Sequence, residues 1–375
     1  MRNKTRRQWL KQVGLGTLGL GLSSRVMGQA VDAAAERIAR YPELKYINLA
    51  GNENPFGPSR RVTLTIMKEV SNSCRYPFRE EVILKERIAE LEGVDPDNVL
   101  LGNGCDEILS MAGDVYGKPG ATLVATQPTY LQLMHYAEKN GARVEWVPHS
   151  ESMHHDLSAM LKAVHEQEAD LVYVCNPDTP SGTVLPPSEI RSFCIQASEH
   201  CPVFLDEVYL ELLDDYRQQT QTALVKEGYP VIIGRSFSKM HGLAGHRVGY
   251  ALGRPDLLEA LEERRMSSLG YLGVMSAITS LDDERFHEES RRLIRQGRER
   301  FCSLLEDLDL AYTPSVGNFV FHRTGIEIRA FQALMKEKGF LVGRPFPPYD
   351  DWCRISIGTV QEMAAYEEAM REVFA

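Results

Sequence analysis

Five short runs of β-favouring residues set the frame for this chain. "TLVAT" (122–126), "RVEWVP" (143–148), "LVYVC" (171–175), "PVFLDE" (202–207) and "PVIIGR" (230–235) follow one another with helical segments between them. Several are apolar almost throughout, as strands buried on both faces must be. Helical periodicity appears over 61–71, 81–92, 106–116 and 187–200. Strands alternating with helices predict an α/β domain around a mainly parallel sheet.

Past Gly253 the texture changes. Charged helical stretches cover 256–269 and 283–308, followed by "NFVFHR" (318–323), a helix over 330–338, "CRISIG" (353–358) and a last helix over 360–374. This predicts a second, smaller α+β domain. The expected division is a leader over 1–30, an arm over 31–60 that joins the small domain, a large domain over 61–255 and a small C-terminal domain over 256–375.

Composition narrows the function. The chain has 375 residues, 43% of them hydrophobic, enough to bury a core without disulfides or metals. A formal net charge of -10 argues against nucleic acid as the main partner. Seven cysteines, with no Cys-x-x-Cys, suggest neither a disulfide framework nor a zinc site. No His-Glu-x-x-His occurs, and metal catalysis is not expected.

Ligands of open α/β sheets bind beyond the carboxyl ends of the strands. Three such ends carry chemically suggestive residues. Asn176 to Gly182 follow "LVYVC", Asp206 and Tyr209 follow "PVFL", and "SFSKMHGLAGHRVG" (236–249) follows "PVIIGR". In the last stretch Lys239 stands among small polar residues, with Arg247 eight positions on. A solvated loop has this look, and so does a site that holds a phosphate and presents one amine to it.

The ordered set of strings decides between these. "NLAGNENPFGPS" (48–59), "RYP" (75–77), "GNGCDE" (102–107), "PTY" (128–130), "NPDTPSG" (176–182), "DEVY" (206–209), "SFSK" (236–239), "GHRVGY" (245–250) and "CRISIGT" (353–359) occur in sequence. Together they resemble a fold-type I pyridoxal-phosphate aminotransferase of class I/II, and within it the histidinol-phosphate aminotransferase-like family. The likeness covers nearly all of the chain after residue 31. It implies an α/β large domain with a mainly parallel central sheet and a smaller α+β domain.

The resemblance also implies roles. Lys239 would join the aldehyde of pyridoxal 5'-phosphate and then move protons. Asp206 would pair with the ring nitrogen, and Tyr209 would donate to the ring's phenolic oxygen. Gly104, Cys105 and Asp106 would lead a helix start onto the phosphate, with Ser236, Ser238 and Arg247 around it. Asp106 reads as the N-cap of that helix. Tyr130 would stack on the ring. Tyr76 would reach the phosphate of a neighbouring subunit, which implies a homodimer with shared sites. Thr179 stands where the family has an asparagine, so its contact to the phenolic oxygen would be weaker, bridged by water or left to Tyr209. Arg354 would hold the substrate carboxylate, with Arg344 as a second substrate arginine. Asn54 stands where some members present a tyrosine to a substrate phosphate.

The first thirty residues carry a different signal. "TRRQWLK" (5–11) resembles the twin-arginine export motif, with Trp9 in place of phenylalanine. A weakly apolar "VGLGTLGLGL" (13–22) and the small residues of "GQA" (28–30) follow in the order of a cleavable signal. The implied partner is the twin-arginine translocase and the implied location the periplasm. A basic cytosolic tail is the alternative.

The expected activity is amino-group transfer between an amino acid and a 2-oxo acid. Two alternatives stay open: another reaction at Cα on the same scaffold, such as decarboxylation or elimination and cyclisation, or an exported binding protein without catalysis.

Overall fold

The computed structural model describes residues 46–374. The leader expected over 1–30, and the first part of the arm expected over 31–60, lie outside the described residues.

Among the described residues the strands are β1 (Ile47–Asn48), β2 (Val99–Gly102), β3 (Thr122–Gln127), β4 (Arg143–Pro148), β5 (Leu171–Cys175), β6 (Val203–Asp206), β7 (Val231–Ser236), β8 (Gly249–Leu252), β9 (Phe319–Arg323), β10 (Phe340–Leu341) and β11 (Trp352–Ser356). Seven form one sheet in the order β2-β8-β7-β6-β5-β3-β4. The pairs from β4 through β7 are parallel. β8 runs antiparallel to both β7 and β2. The sheet is therefore mainly parallel and the class α/β, as expected. β2 and β8 were not predicted, because runs of four residues are too short for periodicity to separate from loop.

The apolar reading of the central strands has a direct cause. Val172, Val174, Val203, Leu205, Val231 and Ile233 enter one core. Leu171, Tyr173, Cys175, Phe204 and Ile232 enter the core on the opposite face. With a side-chain period of two, a strand covered on both faces has few positions left for polar residues. Each Val, Leu or Ile so buried contributes about 1.5–3 kcal/mol.

The expected helix over 256–269 is shorter, ending at Glu262. The chain turns there because Glu81 anchors the next segment: it accepts from Arg265 at 2.8 Å and from the Leu269 amide at 2.7 Å. Leu258, Leu261, Val274 and Ala277 pack into the two cores of the large sheet. Ile294 of the helix Glu284–Asp307 enters one of these cores too, while Phe301 and Leu304 of the same helix do not.

A third core gathers Leu49, Phe301, Leu304, Val320, Phe331, Ile355 and Tyr366. β9 pairs antiparallel with β11, and β1 pairs parallel with β10. Cys353 and Ile355 point into this core, so the alternation of β11 turns Arg354 the other way.

Candidate active site

Parallel strands β5, β6 and β7 end at one edge of the large sheet, and antiparallel β8 begins there. Register sets Cys175 beside Asp206, Asp206 beside Gly234, and Gly249 between Ser236 and Gly102. The residues singled out at three separate strand ends are therefore neighbours.

The helix Cys105–Tyr116 starts at this edge. Gly104 is its N-cap, with φ 78° and ψ 165°, a conformation that glycine alone enters without penalty. This corrects the expectation that Asp106 caps the helix. Asp106 lies two residues further in, and its carboxylate accepts from Arg247 Nη2 and from the Tyr130 hydroxyl, each at 2.7 Å. A β-carbon at Gly104 would stand 2.2 Å from Arg247 Nη2, and one at Gly249 would stand 2.4 Å from the Cys105 amide nitrogen. Both glycines let a guanidinium and a neighbouring strand close in on the helix start.

The first amides of that helix have no acceptor within it. Ser236 and Ser238 are buried beside β8, and the Ser238 amide donates to Ser236 Oγ at 3.1 Å. With Arg247 they form a cup suited to an anion. Burial, and then the charge of Asp206, push the Cys105 thiol well above its ordinary pKa, so it adds no negative charge to the cup.

Lys239 follows β7 in a tight turn. Its Nζ lies 3.5 Å from the Gly51 carbonyl oxygen and 5.3 Å from the centre of the Tyr209 ring. The Tyr209 hydroxyl accepts from Asn52 Nδ2 at 2.9 Å, which leaves its own proton to donate. Asp206 is 1% exposed. It accepts from the Tyr173 hydroxyl at 2.9 Å and from the Val208 amide at 3.2 Å, both neutral donors. Burial raises its pKa to about 6 against the pull of those two bonds. Glu207, next along, faces away and pairs with Arg235 at 2.8 Å.

Arg354 reaches the same cleft from the small domain. Its Nη1 donates to Thr179 Oγ1 at 2.8 Å and its Nη2 to the Ala50 carbonyl at 2.9 Å. Its guanidinium carbon stands 5.1 Å from the centre of the Phe346 ring, and that of Arg344 stands 4.1 Å from the same ring. Arg344 donates to the carbonyls of Pro345 and Thr129. Neither arginine pairs with a carboxylate among the described residues.

One expectation comes out differently. Asn54 is buried and engaged by the protein: its amide donates to the Met240 carbonyl at 2.9 Å and to Ser290 at 3.3 Å, and its oxygen accepts from the Phe56 amide. It braces the turn after Lys239 instead of offering a free group to substrate. Tyr76 is 75% exposed and stacks on Phe78, their ring centres 5.6 Å apart.

Asn52 and Tyr173 are the site residues that sequence reasoning missed. A lone hydroxyl inside the apolar run "LVYVC" was the signal for Tyr173. Asn176 acts within the loop, accepting from the Leu185 amide at 2.9 Å. Behind that loop Asp178 is buried with His149 and His155, at 3.2 and 3.4 Å. Both His155 ring nitrogens are already engaged, at 2.7 Å, by Thr126 Oγ1 and the Cys175 carbonyl. The cluster braces the segment that carries Thr179.

A primary amine, an anion cup, a buried carboxylate held by neutral donors and a tyrosine with a proton to give define a class: enzymes that hold a phosphorylated aldehyde for amine chemistry. Comparison with known proteins agrees. The profile of the aminotransferase class I and II family matches residues 45–370. Histidinol-phosphate aminotransferase of Moorella thermoacetica is 34% identical over 333 residues, 88% of this chain and 86% of that protein. A putative histidinol-phosphate aminotransferase from Erwinia carotovora atroseptica superposes with a TM-score of 0.84 at 32% identity, covering 87% of this chain and 95% of that one. The Sinorhizobium meliloti histidinol-phosphate aminotransferase, solved with pyridoxal-5'-phosphate, gives 0.82 at 30% identity, covering 88% and 91%.

The chain belongs to the aminotransferase class I and II family. It has the fold-type I architecture, and its activity is that of an aminotransferase dependent on pyridoxal 5'-phosphate. The residues present fit that cofactor. Lys239 has no carboxylate partner among the described residues, Asp206 is bonded only by neutral donors, and side chains at Gly104 and Gly249 would fill the cup.

Proposed function

We propose that the amino donor or acceptor is a doubly anionic small molecule, either a dicarboxylic amino acid with its 2-oxo acid or an amino phosphate of the histidinol-phosphate kind. The observation that carries this reading is the pair of arginines over Phe346. Arg354 is 9% exposed, its Nε has no partner among the described residues, and its other nitrogens bond only to neutral oxygens. A desolvated guanidinium of this kind favours an anion, and its fork suits a carboxylate. Desolvation and the charge of Arg354 also push the Arg344 pKa down. Two neighbouring cations without a carboxylate between them call for two negative charges.

Pyridoxal phosphate, when bound, supplies an aldehyde to take up the amine and a ring that draws charge from Cα. The protein's residues do the rest. Arg354 orients the substrate by its carboxylate or phosphate. Lys239 takes and returns the proton at the substrate's Cα. Asp206 keeps a proton on the ring nitrogen. Tyr209 donates its hydroxyl proton, with Asn52 holding the oxygen.

The test is a panel of amino donors with and without a second anionic group, histidinol phosphate and glutamate among them, read by oxo-product formation. Arg344→Ala should raise KM for doubly anionic donors at least tenfold more than for singly anionic ones. An equal rise for both sinks the reading. Lys239→Ala should abolish turnover and the visible absorption of the bound cofactor.

The same reading includes a homodimer. Leu64, Met67, Val70, Tyr76, Phe78 and Val82 are all more than half exposed within one short stretch, the kind of patch that a partner covers. Tyr76 would then face the partner's phosphate cup. Sedimentation should give twice the chain mass, and a monomer at micromolar concentration refutes this. The twin-arginine motif suggests export to the periplasm through the translocase. Changing Arg6 and Arg7 to lysine should keep the protein in the cytoplasm.

A further inference from the structure

We propose that Tyr173 is a positioning residue, whose buried hydroxyl aims Asp206 at the cofactor's ring nitrogen and stabilises its charge. The inference rests on the pyridoxal-phosphate reading of the site.

The placement follows from the sheet. Cys175 pairs with Asp206 and Tyr173 with Phe204 across β5 and β6. A period of two puts Tyr173 and Asp206 on one face, diagonal to each other. Both are 1% exposed. A buried tyrosine hydroxyl needs a partner, and here it is Asp206 Oδ2 at 2.9 Å. The Val208 amide holds Oδ1 at 3.2 Å. One donor on each oxygen fixes the plane of the carboxylate.

The charges around Asp206 show why the bond matters. Burial raises its pKa most, Tyr173 and then the Val208 amide lower it, Asp106 raises it and Lys239 lowers it. The thiols of Cys105 and Cys175 are pushed well above their ordinary range, by burial first, and stay neutral. Tyr173 is itself pushed well above its ordinary value, by burial and by Asp206, so it remains a donor. In the cofactor-free site, with a balance point near 6, loss of one strong donor brings protonation into the neutral range. A protonated Asp206 no longer stabilises a positive ring nitrogen.

Tyr173→Phe removes the hydroxyl and keeps the ring. In the cofactor-free protein, carbon NMR of labelled aspartate, assigned with Asp206→Asn, should show the carboxyl midpoint rising by about one to two pH units. The acidic limb of the kcat/KM profile should move the same way, with activity recovering toward the wild-type level at high pH. A 3-fluorotyrosine at 173 is a stronger donor of nearly the same shape, and it should move both readings downward. Midpoints unchanged in both variants, with wild-type melting temperatures, overturn the proposal. If Tyr173→Phe fails to fold, the fluorotyrosine protein decides: no downward movement overturns it. Wild-type protein that does not bind pyridoxal phosphate would instead count against the reading of the site, and the NMR midpoint would still test the Tyr173 bond.

Discussion

Gly104→Ala tests the anion cup most sharply. The substitution acts twice. First, φ of 78° with ψ of 165° is a region that alanine occupies only under strain, at a cost of about 1–3 kcal/mol. Second, the new β-carbon would lie 2.2 Å from Arg247 Nη2 and 2.8 Å from Arg247 Cζ. The guanidinium is the end of a flexible side chain, so it moves away and the fold survives. Moving it removes a charge-assisted bond to phosphate, worth about 1.5–3 kcal/mol. The Kd of pyridoxal phosphate should therefore rise about tenfold to about a hundredfold. Equilibrium dialysis gives the Kd, and melting curves with and without cofactor separate the two effects. A drop in melting temperature for the cofactor-free protein reports the backbone strain, and a smaller cofactor-induced rise reports the displaced arginine. An unchanged Kd in a folded Gly104→Ala protein would refute the placement of the cup.

Three further outcomes are expected. Arg354→Lys keeps the charge but loses the fork, so KM should rise at least tenfold for every carboxylate substrate while cofactor affinity stays within twofold; a matching loss of cofactor would show that Arg354 belongs to the cup. Arg235→Met strands the buried Glu207, 2.8 Å away, and should cost about 3–5 kcal/mol in denaturant unfolding; adding Glu207→Gln should recover part of it, and a double variant no better than the single one contradicts the pairing. Burial and then His241 push His287 down to about 3. The unfolded chain takes up this proton below about 6.5, so the unfolded state binds more protons and stability falls as pH drops from about 6.5 toward 3. His287→Asn should flatten that part of a melting-temperature profile, and an unchanged slope rules out the histidine as its source.

The halves of the site differed in how much the sequence revealed. Lys239, Asp206, Tyr209, Ser236, Ser238 and Arg247 lie at strand ends or in the turn between two strands, so their proximity follows from a parallel sheet and needs no long-range information. What escaped was set by backbone angles and by packing between distant stretches. "GNENPFG" offers two asparagines. The positive φ of 51° at Asn52 belongs to the fold that sends its amide to Tyr209, while Asn54 is spent on Met240 and Ser290. The helix cap was misplaced for a similar reason, since only the conformation of Gly104 reveals that the helix starts one residue before Asp106.

Thr179 makes the point most clearly. As a departure from the family's asparagine it suggested a weaker hold on the cofactor, a reading that considers only the large domain. In the folded chain its hydroxyl accepts from Arg354, 175 positions away. The same oxygen keeps its own proton free to donate. A threonine here therefore ties Arg354 of β11 to the loop that follows β5, a bond that no reading of either stretch by itself contains.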